Sequence, residues 1–318
     1  MSVINWNGFL VFEKLKAINS KLQTLSCSFT KITYMYQINT ICICGAGTMG
    51  SGIAQVAAMA GYATILFDVN KDMLVKSRMG IEKNLLGLFE KGKINEEEQK
   101  QCGQRIHFTN QFSDCVADLI IEAIIETKEA KSALFNQLSA INSCKTIFAT
   151  NTSSIAITKI ALSIPNPERV MGMHFFNPAP IMKLVELVKT TLTHAKVLDA
   201  LFALSIRMGK SPVICKDAPG FIVNRVARHY YLEAMNLVEQ GLVTIETIDA
   251  VMEATGFKMG PFKLMDLIGM DINFSVSNIV WEALERPERL RPSPLQRQKV
   301  ESGELGRKTG KGFYQYNF

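Results

Sequence analysis

The sequence predicts an α/β domain with a doubly wound parallel sheet, followed by an all-α domain. Its 318 residues exceed the usual size of one domain, so we expect two. Short apolar runs alternate with amphipathic stretches as far as about residue 216, which is typical of strands joined by helices. After Asp217 the helical segments follow one another over short connections. We therefore predict a Rossmann-type domain at 35–216 and a helical domain at 217–318, with a crevice between them.

The first predicted strand, residues 38–44, leads directly into the segment CGAGTMGSGIAQ at residues 44–55. Its glycines follow the GxGxxG spacing of a dinucleotide-binding turn. Gly45 suits the tight turn, Gly47 the close approach of backbone to a pyrophosphate, and Gly50 the packing of helix on strand. The next helix would direct its free N–H groups and positive dipole end at the phosphates. A GxGxxG segment alone also occurs as a plain turn, so a second signal is needed.

That second signal is the acid at the end of the next predicted strand. The apolar run at 63–67 ends at Asp68, about twenty residues after the glycines, where a ribose-binding acid is expected. A carboxylate there accepts hydrogen bonds from ribose hydroxyls and repels a 2′-phosphate. The sequence thus predicts a dinucleotide site and favours NAD over NADP.

The remaining elements follow from periodicity and end signals. One amphipathic stretch covers 70–104, with Asn95 as the N-cap of a further helix. Pro219 suits a first helical position, because its missing N–H is no loss there. The other predicted strands are 105–109, 117–124, 145–150, 169–175, 183–188 and 212–215, and the predicted helices are 127–141, one between the last two strands, 219–241, 244–255, 261–268, 271–285 and 294–302.

Two residues on neighbouring predicted strands form a candidate acid–base pair. His174 falls near the end of the strand at 169–175, and the ends of parallel strands face the ligand crevice. An imidazole takes up protons near neutral pH. Glu186 lies among apolar neighbours in the next strand, and a buried carboxylate needs a partner. His174 is the natural one, and the pair would act as base and orienter. The alternatives are a structural His bonded to a carbonyl and an edge strand whose Glu faces solvent.

Three polar residues could complete a site. Ser153, after the strand at 145–150, could bind a substrate oxygen, and Asn151 could contact the cofactor. The same Thr-Asn-Thr-Ser-Ser segment could instead cap a helix that begins at Ile155. Asn224 lies at an apolar helix start, where a buried amide needs partners, either a substrate carbonyl or a structural contact between the domains.

Composition excludes several classes of protein. The net charge of +6 is mild, and half of it comes from the first 34 residues, which argues against nucleic acid as a partner. No apolar run reaches the length of a membrane span. The seven cysteines are scattered without a CxxC pair, and the four histidines show no metal spacing. We expect no metal, and we interpret the cysteines as small buried apolar side chains of a reduced protein.

Residues 1–34 lack the alternation of strand, turn and helix. We expect a disordered upstream extension, with Met35 as the functional start and a cytoplasmic protein. The alternative is a mitochondrial transit segment that directs the protein to the matrix, but such segments are usually rich in Arg and this one has none.

Taken together, the motifs resemble the 3-hydroxyacyl-CoA dehydrogenase family, including bacterial 3-hydroxybutyryl-CoA dehydrogenases. The resemblance runs from about Ile38 to Tyr316. It rests on GAGTMGSGIAQ, the acid at Asp68, EAIIE at 122–126, NTSS at 151–154, HFFNP at 174–178, KLVE at 183–186, DAPGFIVNR at 217–225 and GRKTGKGFY at 306–314.

The resemblance implies NAD-dependent oxidation of a (3S)-3-hydroxyacyl-CoA, in fatty-acid or butyrate metabolism, by a homodimer joined through its helical domain. It implies that His174 is the general base with Glu186 as its partner, and that Ser153 and Asn224 hold the reacting oxygen. The implied cofactor contacts are Gly45, Gly47, Thr48, Met49, Gly50, Asp68, Glu126, Lys131 and Asn151.

Lys91 matches a lysine at the CoA end of the substrate. Asn84 stands where the family has a serine that makes a neighbouring contact, so the resemblance does not carry that second contact over to this chain. Phe274 stands where eukaryotic members have a lysine near the nicotinamide, and we assign it no role. Two rival functions stay open. One is a dehydrogenase of the same fold for another 3-hydroxy acid, such as L-gulonate or 3-hydroxyadipyl-CoA, and the other is a non-catalytic protein that binds NADH or acyl-CoA.

Overall fold

The structure, a computed structural model, describes residues 36–317. Within them one sheet of eight strands precedes a set of helices, which confirms the predicted fold class. The strands are β1 Thr40–Cys44, β2 Ala63–Phe67, β3 Ile106–Thr109, β4 Leu119–Glu122, β5 Ile147–Thr150, β6 Val170–Phe175, β7 Leu184–Lys189 and β8 Ser211–Lys216. The helices are α1 Thr48–Met59, α2 Lys71–Glu90, α3 Glu96–Gln104, α4 Lys128–Ile141, α5 Ile157–Ala161, α6 Ala195–Arg207, α7 Val223–Glu239, α8 Ile245–Ala254, α9 Pro261–Ile268, α10 Met270–Ala283 and α11 Pro294–Glu301.

The strand order is β3-β2-β1-β4-β5-β6-β7-β8, and β1 is the point from which the chain winds in both directions. Every neighbouring pair is parallel except β6 and β7, which are antiparallel. The carboxyl ends of β1, β4, β5 and β6 therefore meet at one edge of the sheet, where ligands of such sheets bind. The start of β7 lies at the same edge.

The apolar core forms layers on both faces of the sheet. Ile41 and Ile43 of β1 pack on one face with α1 and α6, and Cys42 and Cys44 pack on the other with α4 and α5. This explains why the parallel strands are apolar without alternation, since both of their faces are covered. A separate core joins α7, α9 and α10 around Met235, Phe262 and Val280.

The boundary between the two domains, predicted between residues 216 and 217, stays a proposal. The last strand of the sheet, β8, ends at Lys216.

The stretch at 70–104 forms two helices, each with a side-chain cap. The side chain of Asn70 accepts from the N–H groups of Asp72 and Met73 at the start of α2. Asn95 begins α3 with a capping box to Glu98, as predicted. Each cap satisfies N–H groups that have no partner within the helix, which fixes where it begins.

The predicted helix start at Pro219 is wrong. Gly220 and Phe221 have φ values of +71° and +48°, and α7 begins only at Val223. The N–H groups of Ile222 and Val223 donate instead to the carboxylate of Glu186, a contact that a local pattern cannot show.

The predicted disordered extension at residues 1–34 lies outside the described residues. Among residues 36–317, no helix combines the length and the apolar character that a membrane span requires.

Candidate active site

The glycine-rich turn has the shape that its spacing predicts. Gly45 has a φ of +106°, and a Cβ there would lie 2.5 Å from the carbonyl oxygen of Ala123. A Cβ on Gly50 would lie 1.7 Å from the carbonyl oxygen of Gly45, so helix and turn touch directly. A Cβ on Gly47 would meet nothing within 4 Å, which leaves open space beside the backbone. Gly45 and Gly50 are thus required by contacts within the protein, and Gly47 leaves room for a ligand.

The start of α1 faces this open space and fits an anion. Gly47 is the N-cap, and no side chain caps the helix. Thr48 and Met49 form its first turn. The N–H groups of an uncapped first turn are available to phosphate oxygens, and the helix dipole favours them. This geometry fits the pyrophosphate of a dinucleotide.

Asp68 follows β2 directly and lies next to the turn. Its Oδ2 accepts from the N–H of Ala46 at 2.7 Å, and its Oδ1 accepts from the N–H of Asn70 at 2.9 Å. The carboxylate therefore holds the glycine turn in place. Its place at the end of β2, beside the turn, is the one in which a ribose-binding acid is expected.

His174 and Glu186 are direct cross-strand partners on β6 and β7. The imidazole Nδ1 lies 2.8 Å from Oε2 of Glu186, and both side chains are buried. The rings of Phe176 and Phe221 flank the imidazole, with centroid distances of 4.5 and 5.8 Å. The alternative of an edge-strand Glu that faces solvent is wrong, because β7 lies between β6 and β8.

The second oxygen of Glu186 binds the start of the helical part. Its Oε1 accepts from the N–H groups of Ile222 and Val223, each at 2.9 Å. Burial raises the pKa of this carboxyl, but the hydrogen bonds from His174 and from the N–H groups of Val223 and Ile222 outweigh burial and lower the pKa below its ordinary value. Glu186 is thus ionised at neutral pH. Its charge favours a proton on Nδ1 of His174 and leaves Nε2 as the nitrogen that can accept one.

Ser153 and Asn224 meet at the join between sheet and helices. The Nδ2 amide of Asn224 donates to the carbonyl oxygen of Ser153 at 3.3 Å, which supports the structural contact foreseen as one of its two roles. The N–H of Ser153 donates to Oε1 of Glu126 at 3.0 Å. The backbone of Ser153 is therefore held on both sides, and no hydrogen bond within residues 36–317 engages its Oγ. A hydroxyl so placed can donate to a ligand oxygen.

The helix expected from Ile155 begins at Ile157, as α5. Oγ1 of Thr152 accepts from the N–H of Ile155 at 2.9 Å just before it, and the cap of α5 itself comes from Asp217. Its two carboxylate oxygens accept from the N–H groups of Ile157 and Thr158, where α5 begins. Asn151 makes a structural contact within the protein. Its Oδ1 accepts from the N–H of Phe175 at 2.8 Å, which connects the ends of β5 and β6.

Lys131 is fully buried between two carboxylates. Its Nζ lies 2.6 Å from Oε1 of Glu122 and 3.1 Å from Oε2 of Glu126. Oε2 of Glu122 accepts from Oγ1 of Thr150 at 2.7 Å. Burial raises the pKa of Glu122. Burial also raises that of Glu126, but Lys131 and the hydroxyl of Thr152 outweigh it and lower the pKa overall. The group connects the ends of β4 and β5 to the backbone of Ser153.

Sequence reasoning missed Glu122 and Thr152 as members of this group. The signal for Glu122 was an acid inside a strand with no polar neighbour, nine residues before Lys131. Lys210 was missed as well. Its Nζ donates to the carbonyl oxygens of Ala179 and Met182, and so holds the loop that follows His174. Burial lowers the pKa of Lys210 to about 8.

A cleft of about 300 Å³ separates the glycine turn from α2 and from the loop after His174. Among its walls are Gly47, Gly52, Ser77, Asn84 and Pro178. Asn84 donates to Oε1 of Gln55 at 3.2 Å across the cleft floor. Lys91 does not line the cleft. It is exposed and caps the carboxyl end of α2, about two turns beyond Asn84.

A glycine turn, an acid beside it and a buried imidazole–carboxylate pair at one sheet edge form the arrangement of an oxidoreductase that uses a nicotinamide dinucleotide. Comparison with known proteins gives the family. Residues 40–218 match the family described as "3-hydroxyacyl-CoA dehydrogenase, NAD binding domain", and residues 220–316 match "3-hydroxyacyl-CoA dehydrogenase, C-terminal domain". The chain belongs to the 3-hydroxyacyl-CoA dehydrogenase family, which confirms the resemblance, and its dinucleotide is NAD.

The relatives carry related names. The chain is 45% identical over 284 residues to the 3-hydroxyadipyl-CoA dehydrogenase of Escherichia coli, covering 89% of this chain and 60% of that one. It is 40% identical over 319 residues to the mitochondrial hydroxyacyl-coenzyme A dehydrogenase of the pig, covering 97% and 99%. The crystal structure of 3-hydroxybutyryl-CoA dehydrogenase from E. coli superposes with a TM-score of 0.86 at 44% identity, covering 88% of this chain and 60% of that one.

Proposed function

We propose that this protein catalyses the NAD-dependent oxidation of a (3S)-3-hydroxyacyl-CoA to the 3-ketoacyl-CoA, and the reverse reduction. The His174–Glu186 pair carries the proposal, because it is buried at the sheet edge that also presents the glycine turn. The family and its relatives, each named for a hydroxyacyl-CoA substrate, support the substrate class.

The chemistry divides between cofactor and protein. NAD, when bound, supplies the acceptor for the hydride that leaves C3. His174 takes the C3 hydroxyl proton on its free nitrogen, and Glu186 stabilises the imidazolium that forms. The Oγ of Ser153 and the amide of Asn224 donate to the reacting oxygen. In the direction of reduction they stabilise the negative charge that develops on it.

The cofactor contacts are part of the same proposal. We assign the pyrophosphate to Gly45, Gly47, Gly50 and the first turn at Thr48 and Met49. We assign the ribose to Asp68, and the nicotinamide side to Glu126, Lys131 and Asn151. Lys91 remains our candidate for the CoA end of the substrate. Its exposed ammonium at the end of α2 suits a phosphate, but it lies outside the cleft walls.

The acyl group is the finer part of the proposal. We propose a short chain, with 3-hydroxybutyryl-CoA as the first substrate to test, as supported by the structural relative named for it. The relative named for 3-hydroxyadipyl-CoA keeps a dicarboxylic acyl group as the alternative. L-gulonate is a further rival. It is a free 3-hydroxy acid without a CoA moiety, so assays with free acids separate it from the thioesters.

The deciding experiment is NADH oxidation by the purified protein with acetoacetyl-CoA, with longer 3-ketoacyl-CoAs and with free acetoacetate. We expect rapid turnover of the thioesters and little with the free acid. Turnover of the free acid alone would indicate a different 3-hydroxy acid. Tight NADH binding without turnover of any substrate would instead indicate a non-catalytic relative.

We also propose a homodimer joined through the helical domain. Support comes from large apolar side chains that this part exposes, namely Ile222, Val226, Leu242, Val251, Phe257, Leu267 and Ile272. Sedimentation equilibrium should give twice the mass of the chain, and a monomer at all concentrations would contradict the proposal.

For location we propose the cytoplasm, with the mitochondrial matrix as the alternative if residues 1–34 are a transit segment. Intact mass and N-terminal sequencing of the native protein distinguish the two.

A further inference from the structure

Three cysteine sulfurs lie together beneath the glycine turn, and the mechanism does not use them. Cys42 and Cys44 lie two residues apart on β1 and so share one face of the sheet. Cys115 lies shortly before the neighbouring β4 and packs against them in the same core cluster. The three Sγ atoms all lie within 4.8 Å of one another, the Cys42–Cys44 distance is 3.9 Å, and all three residues are fully buried.

The three sulfurs lie close enough together to bind one atom. A centre bound at about 2.3 Å to each of three sulfurs in one plane would hold them about 4.0 Å apart. A pyramidal centre, such as trivalent arsenic with its lone pair, holds its three sulfurs closer together than that. The observed separations of 3.9 Å and up to 4.8 Å therefore require the three side chains to turn inward on binding.

Charge selects the kind of ion. The surroundings are apolar, with Phe67, Phe135 and Phe148 in the same cluster. A monovalent or divalent ion on three thiolates leaves a net negative charge, which is costly to bury in such a place. A trivalent centre on three thiolates is neutral. Among thiophilic species, trivalent arsenic and antimony meet this condition.

We propose that Cys42, Cys44 and Cys115 form a binding site for trivalent arsenic or antimony. The step is a condensation without electron transfer: As(OH)₃ and three thiols form three As–S bonds, and the three thiol protons leave with the three hydroxides as water. No charge is left in the core.

Cys115 is the residue through which the ion would enter. It ends a short 3₁₀ turn at Phe112–Asp114, and the next residue, Val116, is exposed. Hydrogen bonds hold this segment, among them those from Nδ2 of Asn142 to the carbonyl oxygen of Cys115 at 2.8 Å, from the N–H of Ala117 to Oδ1 of Asn142 at 3.0 Å and from Oγ1 of Thr109 to Asp114 at 2.6 Å. Local opening of so short a segment exposes the thiol without global unfolding.

Capture at this site would reach the cofactor turn. Cys44 immediately precedes Gly45, whose N–H donates to the carbonyl oxygen of Phe67 at 2.8 Å. The carbonyl oxygen of Cys44 accepts from the N–H of Ala123 at 2.8 Å. Drawing the Cys44 sulfur toward a common centre strains both contacts, so we expect bound arsenic to weaken NADH binding.

The test is native mass spectrometry of the full chain with sodium arsenite under reducing conditions. The wild type should gain one arsenic atom and lose three protons. Cys115→Ala and Cys42→Ala should each lose this adduct. Cys144→Ala, which removes an exposed cysteine elsewhere, should keep it. Persistence of the three-proton adduct in Cys115→Ala, or its loss in Cys144→Ala, would overturn the proposal.

A second measurement on the wild type avoids dependence on the folding of variants. After treatment with arsenite and removal of the excess, X-ray absorption at the arsenic edge should show three sulfur neighbours and no oxygen neighbour. Arsenic bound through oxygen, or through fewer than three sulfurs, would refute the site.

Discussion

Glu186→Gln should abolish most of the activity without changing the shape of the site. The change keeps the size of the side chain and removes its charge. The oxygen and the NH₂ group of the new amide would then occupy the places of the two carboxylate oxygens, which have different partners. Oε1 of Glu186 faces two backbone N–H groups, those of Ile222 and Val223, each at 2.9 Å. Its other oxygen faces Nδ1 of His174 at 2.8 Å.

The backbone donors fix which way the amide points. If the NH₂ group faced Ile222 and Val223, two buried N–H groups would lose their acceptor, at a cost of about 1–3 kcal/mol each. The carbonyl oxygen therefore stays on that side, and the NH₂ group faces His174. Nδ1 of His174 must then accept, so the ring proton moves to Nε2. That nitrogen can no longer take a proton from the substrate.

The size of the effect follows from the trapped tautomer. The equivalent carboxylate-to-amide change in a serine hydrolase triad lowers kcat about 10⁴-fold for the same reason. A loss of that size corresponds to about 5 kcal/mol in activation free energy. We expect a fall of about 10³- to 10⁴-fold in kcat here, with a changed pH–rate profile.

The assay is the fall in NADH absorbance with acetoacetyl-CoA, together with NADH affinity from fluorescence titration. NADH affinity should stay near that of the wild type, because Glu186 does not touch the glycine turn. Glu282→Gln, an exposed glutamate paired with Arg286, is the matched control and should keep full activity. A Glu186→Gln protein that retains kcat within about tenfold of the wild type would refute the tautomer reasoning.

Three further predictions concern the cofactor turn, the buried ion group and acid stability. Gly47→Ala should leave the free energy of unfolding nearly unchanged but weaken NADH binding, because its Cβ would lie in the open space beside the turn. Gly50→Ala should lower the free energy of unfolding, because its Cβ would overlap the carbonyl oxygen of Gly45. Equal effects of the two changes in chemical denaturation would contradict this reasoning. Lys131→Met should lower the free energy of unfolding by about 3–5 kcal/mol, because the buried carboxylate of Glu122 loses its cation. A change under about 1 kcal/mol in denaturant titrations would show that the Glu122 carboxylate does not depend on Lys131 for its charge to be buried. The pKa of Glu186 in the folded protein lies below its ordinary value of 4.5. Its charge therefore stabilises the fold fully above pH 4.5 and less as the pH falls through the folded pKa. The difference in the free energy of unfolding between wild type and Glu186→Gln should shrink below pH 4.5, and a difference that does not change with pH would contradict this.

Sequence reasoning found the cofactor turn because its signals are local. Gly45 and Gly50 are required by contacts within one strand, turn and helix, so their spacing carries the geometry. His174 and Glu186 were foreseeable for a related reason. They lie on consecutive strands joined by a short loop, and a buried carboxylate there leaves few partners within reach.

The parts that were missed depend on contacts between distant segments. The start of α7 was placed too early because the acceptor for Ile222 and Val223 is Glu186, which lies 36 residues before Ile222. Lys210 holds the carbonyl oxygen of Ala179, 31 residues earlier. No helix or strand periodicity encodes such a tether. The role of Glu122 had a weak signal, an acid in a buried strand, but its partner could not be chosen without coordinates.

The cysteines illustrate a third case. Sequence spacing showed that Cys42 and Cys44 share a face. The interpretation of the cysteines as small buried side chains agrees with the burial of Cys42, Cys44, Cys102 and Cys115, but it is wrong for Cys144, which is exposed, and Cys215 is only half-buried. That Cys115 completes a triangle with them depends on how the segment before β4 packs on β1. Packing of this kind is a tertiary property, and the sequence held no sign of it.

The central claim is that His174 moves the proton while the rest of the site holds the cofactor. The most direct measurement is single-turnover oxidation of bound NADH by acetoacetyl-CoA in the His174→Gln variant, with NADH affinity measured on the same sample. We predict turnover slower by orders of magnitude at nearly unchanged NADH affinity. Turnover at the wild-type rate would contradict the claim.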